Sequence, residues 1–215
     1  MKNITFLTGY YGSGKSEITV NLAIQKQLDV VVDLDIINPY FRSREMAKKL
    51  TEYNIESISS DISERASLDM PYISGKIFKP FHNKTLKAIY DLGGNDQGAK
   101  LLRQFDDYHG ADIDLFLVVN IYRYETDSVD KILRLINKIE GMGGFKITGL
   151  INNSNLLRDT TIEEVLLGAK VLRKVSELTN LPIVYTTVWD KVNTDDLDVQ
   201  GELIKMNLYL RKQWL

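Results

Sequence analysis

From one end of the chain to the other, apolar runs of strand length alternate with stretches whose apolar residues recur every three or four positions. A β-branched run of four to eight residues fits a buried strand, and an i, i+3, i+4 stripe fits a helix packed on one face. Strands are expected at about Asn3–Thr8, Val30–Asp35, Leu86–Asp91, Asp114–Asn120, Lys146–Ile151 and Pro182–Tyr185. Helices are expected after the glycine-rich turn at 9–14, at about Ser43–Leu50 and at Gln97–Tyr108. Two more follow the stripes Val129, Ile132, Leu133, Ile136, Ile139 (closed by Gly141, Gly143 and Gly144) and Leu167, Val171, Val175, Leu178. A final helix is expected on Val199, Leu203, Met206, Leu210 and Trp214. Such alternation predicts an α/β fold, a mostly parallel sheet with helices on both faces.

Residues 53–85 interrupt the pattern. Ile55, Ile58, Ile77 and Phe78 are candidate strand residues, but Pro71, Gly75 and Pro80 break any period. They read as a variable insertion within residues 1–215, a chain of the length one well-buried domain needs.

The strongest local motif is Gly9-Tyr10-Tyr11-Gly12-Ser13-Gly14-Lys15-Ser16, placed between a strand and a helix. G-x-x-x-x-G-K-S in that setting is a phosphate-binding loop, which makes the fold expected here that of a P-loop NTPase. Gly9, Gly12 and Gly14 let the backbone take φ > 0 and come close to an anion. Consecutive N–H groups, Ser13 and Glu17 among the residues that carry them, then converge with the positive end of the following helix. Lys15 reaches the β and γ phosphates, and the Ser16 hydroxyl is placed for Mg²⁺.

Other polar residues collect where strands end, which in an open parallel sheet is the ligand edge. Asp91, followed by Leu92-Gly93-Gly94, suits a Mg²⁺-holding acid with a mobile, phosphate-sensing loop behind it. Asp33 and Asp35 are read as pointing to opposite sides of their strand, one to the nucleotide and one to structure. Asp35 is the favoured choice for orienting the attacking water or a metal-bound water; the alternative is that it caps the next turn. Asn153, in Asn152-Asn153-Ser154-Asn155, is the candidate base reader, since a carboxamide both donates to and accepts from adenine. A guanine reader would use Asn-Lys-x-Asp, and no acid stands at that spacing, so ATP is favoured over GTP; a plain Asn-rich turn is the alternative.

Composition removes several classes. A formal net charge of −2 gives no basic field for nucleic acid, and the tyrosines are not interleaved with a basic run. With no cysteine, disulfides, thiolate metal sites and a Cys nucleophile are excluded. His82 and His109 have no metal-ligand spacing around them. No apolar run has transmembrane length and no signal-peptide pattern precedes the first strand, so the expectation is a cytoplasmic protein.

Together, Gly9–Ser16, Val31-Val32-Asp33-Leu34-Asp35-Ile36, Asp91-Leu92-Gly93-Gly94 and Gly149-Leu150-Ile151-Asn152-Asn153-Ser154 resemble the partition and septum-placement (ParA/MinD-like) P-loop ATPases. The resemblance spans the chain except about 53–85. It implies that Asp35 positions the hydrolytic water, that Asp91 is the Walker B acid and that Asn153 contacts adenine. It also implies a homodimer with nucleotide between subunits, and hydrolysis that switches partner binding. One departure is that the family's second lysine, just after the first glycine, is replaced by Tyr10; Arg42 or Arg44 is the candidate substitute cation, with solvated helix-start charges as the alternative. The septum-placement relatives anchor to membrane by a C-terminal amphipathic helix, but here the terminal stripe is read as a helix packed on the sheet.

The function expected is Mg²⁺-dependent ATP binding and hydrolysis driving a conformational switch on a protein partner. One rival is a small-molecule kinase or ligase of the dethiobiotin-synthase type, acting on a small-molecule acceptor; another is a non-catalytic nucleotide-binding module.

Overall fold

Among the described residues, eight parallel strands form one sheet in the order β3-β2-β4-β1-β5-β6-β7-β8. They are β1 Ile4–Thr8, β2 Val30–Leu34, β3 Glu56–Ser59, β4 Ala88–Leu92, β5 Ile113–Val119, β6 Gly149–Asn152, β7 Ile183–Trp189 and β8 Glu202–Met206. The computed structural model describes residues 1–35, 46–59, 75–94, 96–109, 112–195 and 197–210. β1, β2, β4 and β5 are buried along their whole length. That burial explains why they read as continuous apolar runs rather than alternating ones.

Helices cover both faces. α1 (Lys15–Gln25) and α2 (46–51) lie on one, where Ile18, Val20, Leu22, Met46 and Leu50 meet Leu7, Val31, Ile89 and Val118. α3 (Lys79–His82), α4 (Asp96–Leu101), α5 (Val129–Gly143) and α6 (Ile162–Thr179) build the other. α5 buries the stripe Ile132, Ile136, Ile139 and ends at Gly144, whose φ of 77° is the left-handed cap that glycine accepts most cheaply. α6 opens with a capping box, in which Thr161 and Glu164 satisfy each other's backbone N–H groups.

The chain leaves β1 toward β2, β3 and β4 on one side and later crosses to β5 on the other. Loops after β1 and β5 therefore diverge at a switch point, where open sheets of this kind form a ligand crevice. The same topology sets Asp33 and Asp91 directly across from each other on β2 and β4.

Three expectations fail. The C-terminal helix is a strand: β8 pairs with β7 and buries Ile204 and Met206 while Lys205 stays out. In the strand Met206 shares the buried face with Ile204, which the helical stripe leaves out, while Leu203 lies on the other face. Trp214 lies outside the described residues, as do Arg42, Arg44 and the whole of the loop and helix start read at 36–45. Second, Ile77 and Phe78 sit in a 3₁₀ turn, Gly75–Phe78, that runs into α3 with proline in its first turn. Their purpose is packing: Phe78 and Phe81 join Phe6, Tyr90, Phe105 and Tyr108 in an aromatic cluster, and the Tyr90 hydroxyl donates to the Ile77 carbonyl at 2.7 Å. Third, the helix expected through Tyr108 changes at Leu102 into a 3₁₀ segment.

Candidate functional site

The turn between β1 and α1 has Gly9, Gly12 and Gly14 at φ of 146°, 77° and 92°. Two of them are closely walled: a Cβ at Gly9 would stand 2.4 Å from the Val118 carbonyl oxygen, and one at Gly14 2.3 Å from the Asn153 side-chain nitrogen. Lys15 is buried and curls over the loop, its ammonium donating to the Gly9 and Tyr10 carbonyls at 3.2 Å each. Gly94, behind β4, approaches it closely, since a Cβ at Gly94 would lie 2.8 Å from the Lys15 Nζ. The glycine pair after Asp91 is thus folded against the lysine, on the side where a triphosphate's far end would lie.

Lys15, Ser16, Glu17 and Asp35 share a cleft of about 440 Å³ with Tyr11, Gly12, Gly14 and Leu210. Asp91 lies beneath it, fully buried. Desolvation raises its carboxyl above the usual range, Asp33 adds repulsion, and Lys15 and the Ser16 hydroxyl pull it back; the outcome is about 7. Neither Asp91 oxygen makes a hydrogen bond of good geometry among the described residues. A buried carboxylate in that condition needs a proton or a cation. Among the described residues no three acids or imidazoles converge on one metal position. A lone buried carboxylate beside the Ser16 hydroxyl fits Mg²⁺, which is taken by one or two carboxylates, a hydroxyl and phosphate oxygens.

Asp33 and Asp35 do not point to opposite sides. Residues two apart in a strand share a face, and both acids raise the Asp91 carboxyl. What separates them is depth. Asp33 is buried within β2, while Asp35 lies one residue beyond the strand, half-exposed, its N–H donating to Asp33 Oδ1 at 2.9 Å.

Asn153 is buried and spends both ends of its amide: Nδ2 donates to the Ser13 carbonyl at 2.6 Å, and Oδ1 accepts from the Thr187 hydroxyl at 2.5 Å. It ties the phosphate loop to β7. Beside it opens a second cleft of about 530 Å³ between Gly12 and Gly14 on one wall and Leu157, Val188, Trp189, Met206 and Leu208 on the other. Its apolar wall and polar rim have the character of a base pocket.

Glu17 holds the far wall in place. Its carboxylate accepts from the backbone N–H groups of Tyr209 and Leu210. One turn on, Asn21 donates to the Asn207 carbonyl and accepts from its N–H, both at 2.9 Å, and Gln25 donates to the Lys205 carbonyl. α1 thus carries a row of polar side chains that lashes residues 205–210 beside the loop. Sequence reading placed Glu17 among the loop amides and missed this lashing.

It also missed the loop after β5. Asn120 accepts from the Tyr122 and Asn155 N–H groups, Thr126 donates to the Asn120 carbonyl, and Arg123 reaches the phosphate loop. Tyr10, at the departing position, hydrogen-bonds Glu125 on this same loop, which raises its phenol. No local motif flags these residues; only the strand order brings them here.

No family model matches the chain, and no curated protein matches it. Among solved structures it is similar to FtsY from Mycoplasma mycoides at a TM-score of 0.57, with 15% identity over 98% of this chain and 67% of that one. It is also similar to the signal recognition particle receptor FtsY from Elizabethkingia anophelis in complex with GDP, at 0.56 and 15%, over 94% of this chain and 61% of that one. The cell division protein ftsY from Thermotoga maritima gives 0.54 and 15%, over 87% and 62%. The chain spans about six tenths of the length of the last two. These likenesses show the fold alone, a parallel α/β sheet with helices on both faces. Among the described residues no helix is long and apolar enough to cross a membrane.

Proposed function

We propose that residues 1–215 form one nucleotide-binding domain that takes up Mg·ATP, hydrolyses it, and uses the change to switch its hold on a partner. The observation that carries this is the buried Asp91 carboxylate, without a hydrogen bond of good geometry, set beside Lys15 and the loop after β1. Lys15 and the amides of Gly12–Ser16 bind the phosphates. Ser16 and Asp91 would hold Mg²⁺, which when bound neutralises phosphate charge. Asp35, half-exposed in the cleft that Lys15 and Ser16 line, positions the attacking water. The Gly93-Gly94 loop, already against Lys15, is the element that changes place with the state of the γ-phosphate.

Adenine is preferred because Asn155 stands where a guanine reader would place an acid. Relationship to the partition and septum-placement ATPases is part of this proposal; its supports are the motifs and the fold. The test is calorimetry with millimolar Mg·ATP and Mg·GTP, followed by phosphate release. Wild-type protein binds Mg·ATP more tightly than Mg·GTP; Lys15→Ala loses at least tenfold in affinity, and Asp35→Ala binds but turns over at least tenfold more slowly. Absence of heat with either nucleotide would sink the reading.

A second reading has one observation in its favour. A cleft of about 350 Å³ on the other side of the loop is lined by Gly9, Tyr10, Gly93, Gly94, Leu135 and Ile139. It is the right place for an acceptor of the γ-phosphate. A transferase of that kind would release ADP slowly until one metabolite is added, whereas a switch ATPase responds to a protein.

A further inference from the structure

Arg123 stands on the loop after β5, across the switch point from the phosphate loop. Its Nε donates to the Gly12 carbonyl at 3.0 Å. The guanidinium also lies flat against Gly12, where a Cβ would meet Nε, Cζ and Cδ at 3.4–3.7 Å. That contact uses one of the five N–H donors, and among the described residues no carboxylate pairs with the others. The side chain is half-buried and lines the base-side cleft with Gly12, Gly14 and Asn153.

The loop that carries it is held firmly. The Ile121 N–H donates to the Ser154 hydroxyl, Asn120 bridges to Asn155, and the Thr126 N–H closes a turn onto the Arg123 carbonyl. A positive charge with free donors, fixed by a rigid loop against an anion-binding turn, is a preorganised anion ligand.

Position decides which phosphate it takes. Arg123 lines the cleft beside Asn153 and Trp189, and is not part of the cleft that holds Lys15, Ser16 and Asp35. A nucleotide with its β-phosphate in the loop and its base against Trp189 and Leu208 runs its α-phosphate past Gly12. We propose that Arg123 is a binding residue for the α-phosphate of the nucleotide, adding a second positive charge beside the loop. This rests on the nucleotide reading given above. It assigns Arg123 to affinity and leaves the γ-phosphate chemistry to Lys15 and Asp35.

The test compares wild type, Arg123→Ala and Arg123→Lys for Mg·ATP and Mg·ADP binding by calorimetry, and for kcat at saturating ATP. Arg123→Ala weakens both nucleotides by about tenfold or more and by the same factor, a charge-assisted contact being lost from each. Arg123→Lys, which keeps charge but loses the fork to Gly12, falls between, and its affinity drops more steeply with salt than that of Arg123→Ala. If wild type binds nucleotide and Arg123→Ala binds it equally well, the assignment is wrong while the nucleotide site stands. If kcat falls with ADP affinity unchanged, Arg123 serves the γ-phosphate and the assignment is again wrong. If Arg123→Lys binds as poorly as Arg123→Ala at every salt concentration, pinning Gly12 is its only role. Should Arg123→Ala lose cooperative unfolding, Arg123→Gln takes its place in the same comparisons. Failure of wild type to bind any nucleotide removes the site and this inference together.

Discussion

Asp91→Asn replaces a buried carboxylate by an amide of almost the same shape, so packing in β4 is kept and charge alone is removed. In the folded protein the Asp91 carboxyl titrates near 7, against 3.8 ordinarily. The raised value means the folded state keeps this proton longer than the unfolded chain does. The linked contribution to stability is therefore complete below about pH 4 and is lost as pH rises to about 7, beyond which it is level. A difference of about 3 units at ~1.4 kcal/mol each sets a ceiling of ~4 kcal/mol on the loss. The amide escapes that loss but has its own N–H groups to satisfy, at a cost of ~1–3 kcal/mol if Asp33 does not accept from them. That cost does not vary with the ionisation of residue 91, so the difference between the two proteins separates the effects. Urea unfolding of both proteins from pH 4 to 8.5, without Mg²⁺ or nucleotide, gives the curve. The variant gains on wild type by up to ~4 kcal/mol across that range, with most of the change between pH 5 and 7. A constant offset at all pH values would refute the reasoning, because Asp91 would then carry no ionisation penalty. Added Mg·ATP should stabilise wild type far more than the variant, since the carboxylate is what the cation relieves.

Two further changes probe the scaffold of the site. Glu17→Gln removes the negative charge that holds Tyr209 and Leu210; hydrogen exchange at those two amides should speed by about tenfold while β1 and β4 exchange as before. Gly14→Ala puts a methyl group 2.3 Å from the Asn153 amide at a φ of 92°; it should lower stability by ~2 kcal/mol or more and abolish nucleotide binding, and a variant as stable as wild type would contradict the geometry.

Local sequence determined whatever depends on neighbours in the chain. Glycine spacing at 9–14 specified a left-handed turn, because few other residues enter that region cheaply. The β-branched runs specified buried strands, and the stripe from Val129 to Ile139 specified α5, since each pattern repeats at its element's own period. Where long-range pairing decides, the sequence was mute. Leu203, Met206 and Leu210 fit a helix, yet pairing with β7 and a hydrogen bond from Gln25 on α1 made 202–206 a strand, and Asn21 holds Asn207 just beyond it. Asp33 and Asp35 stand two apart, a spacing that in a strand gives one face; the point at which β2 ends is what put one beneath the cleft and the other at its lip. Arg123 and Trp189 carry no motif. They meet the phosphate loop because β5 lies beside β1 and β7 two strands further on. β1 finds β5 across more than a hundred positions, Ile4 beside Ile113, and no short window of the sequence contains both partners.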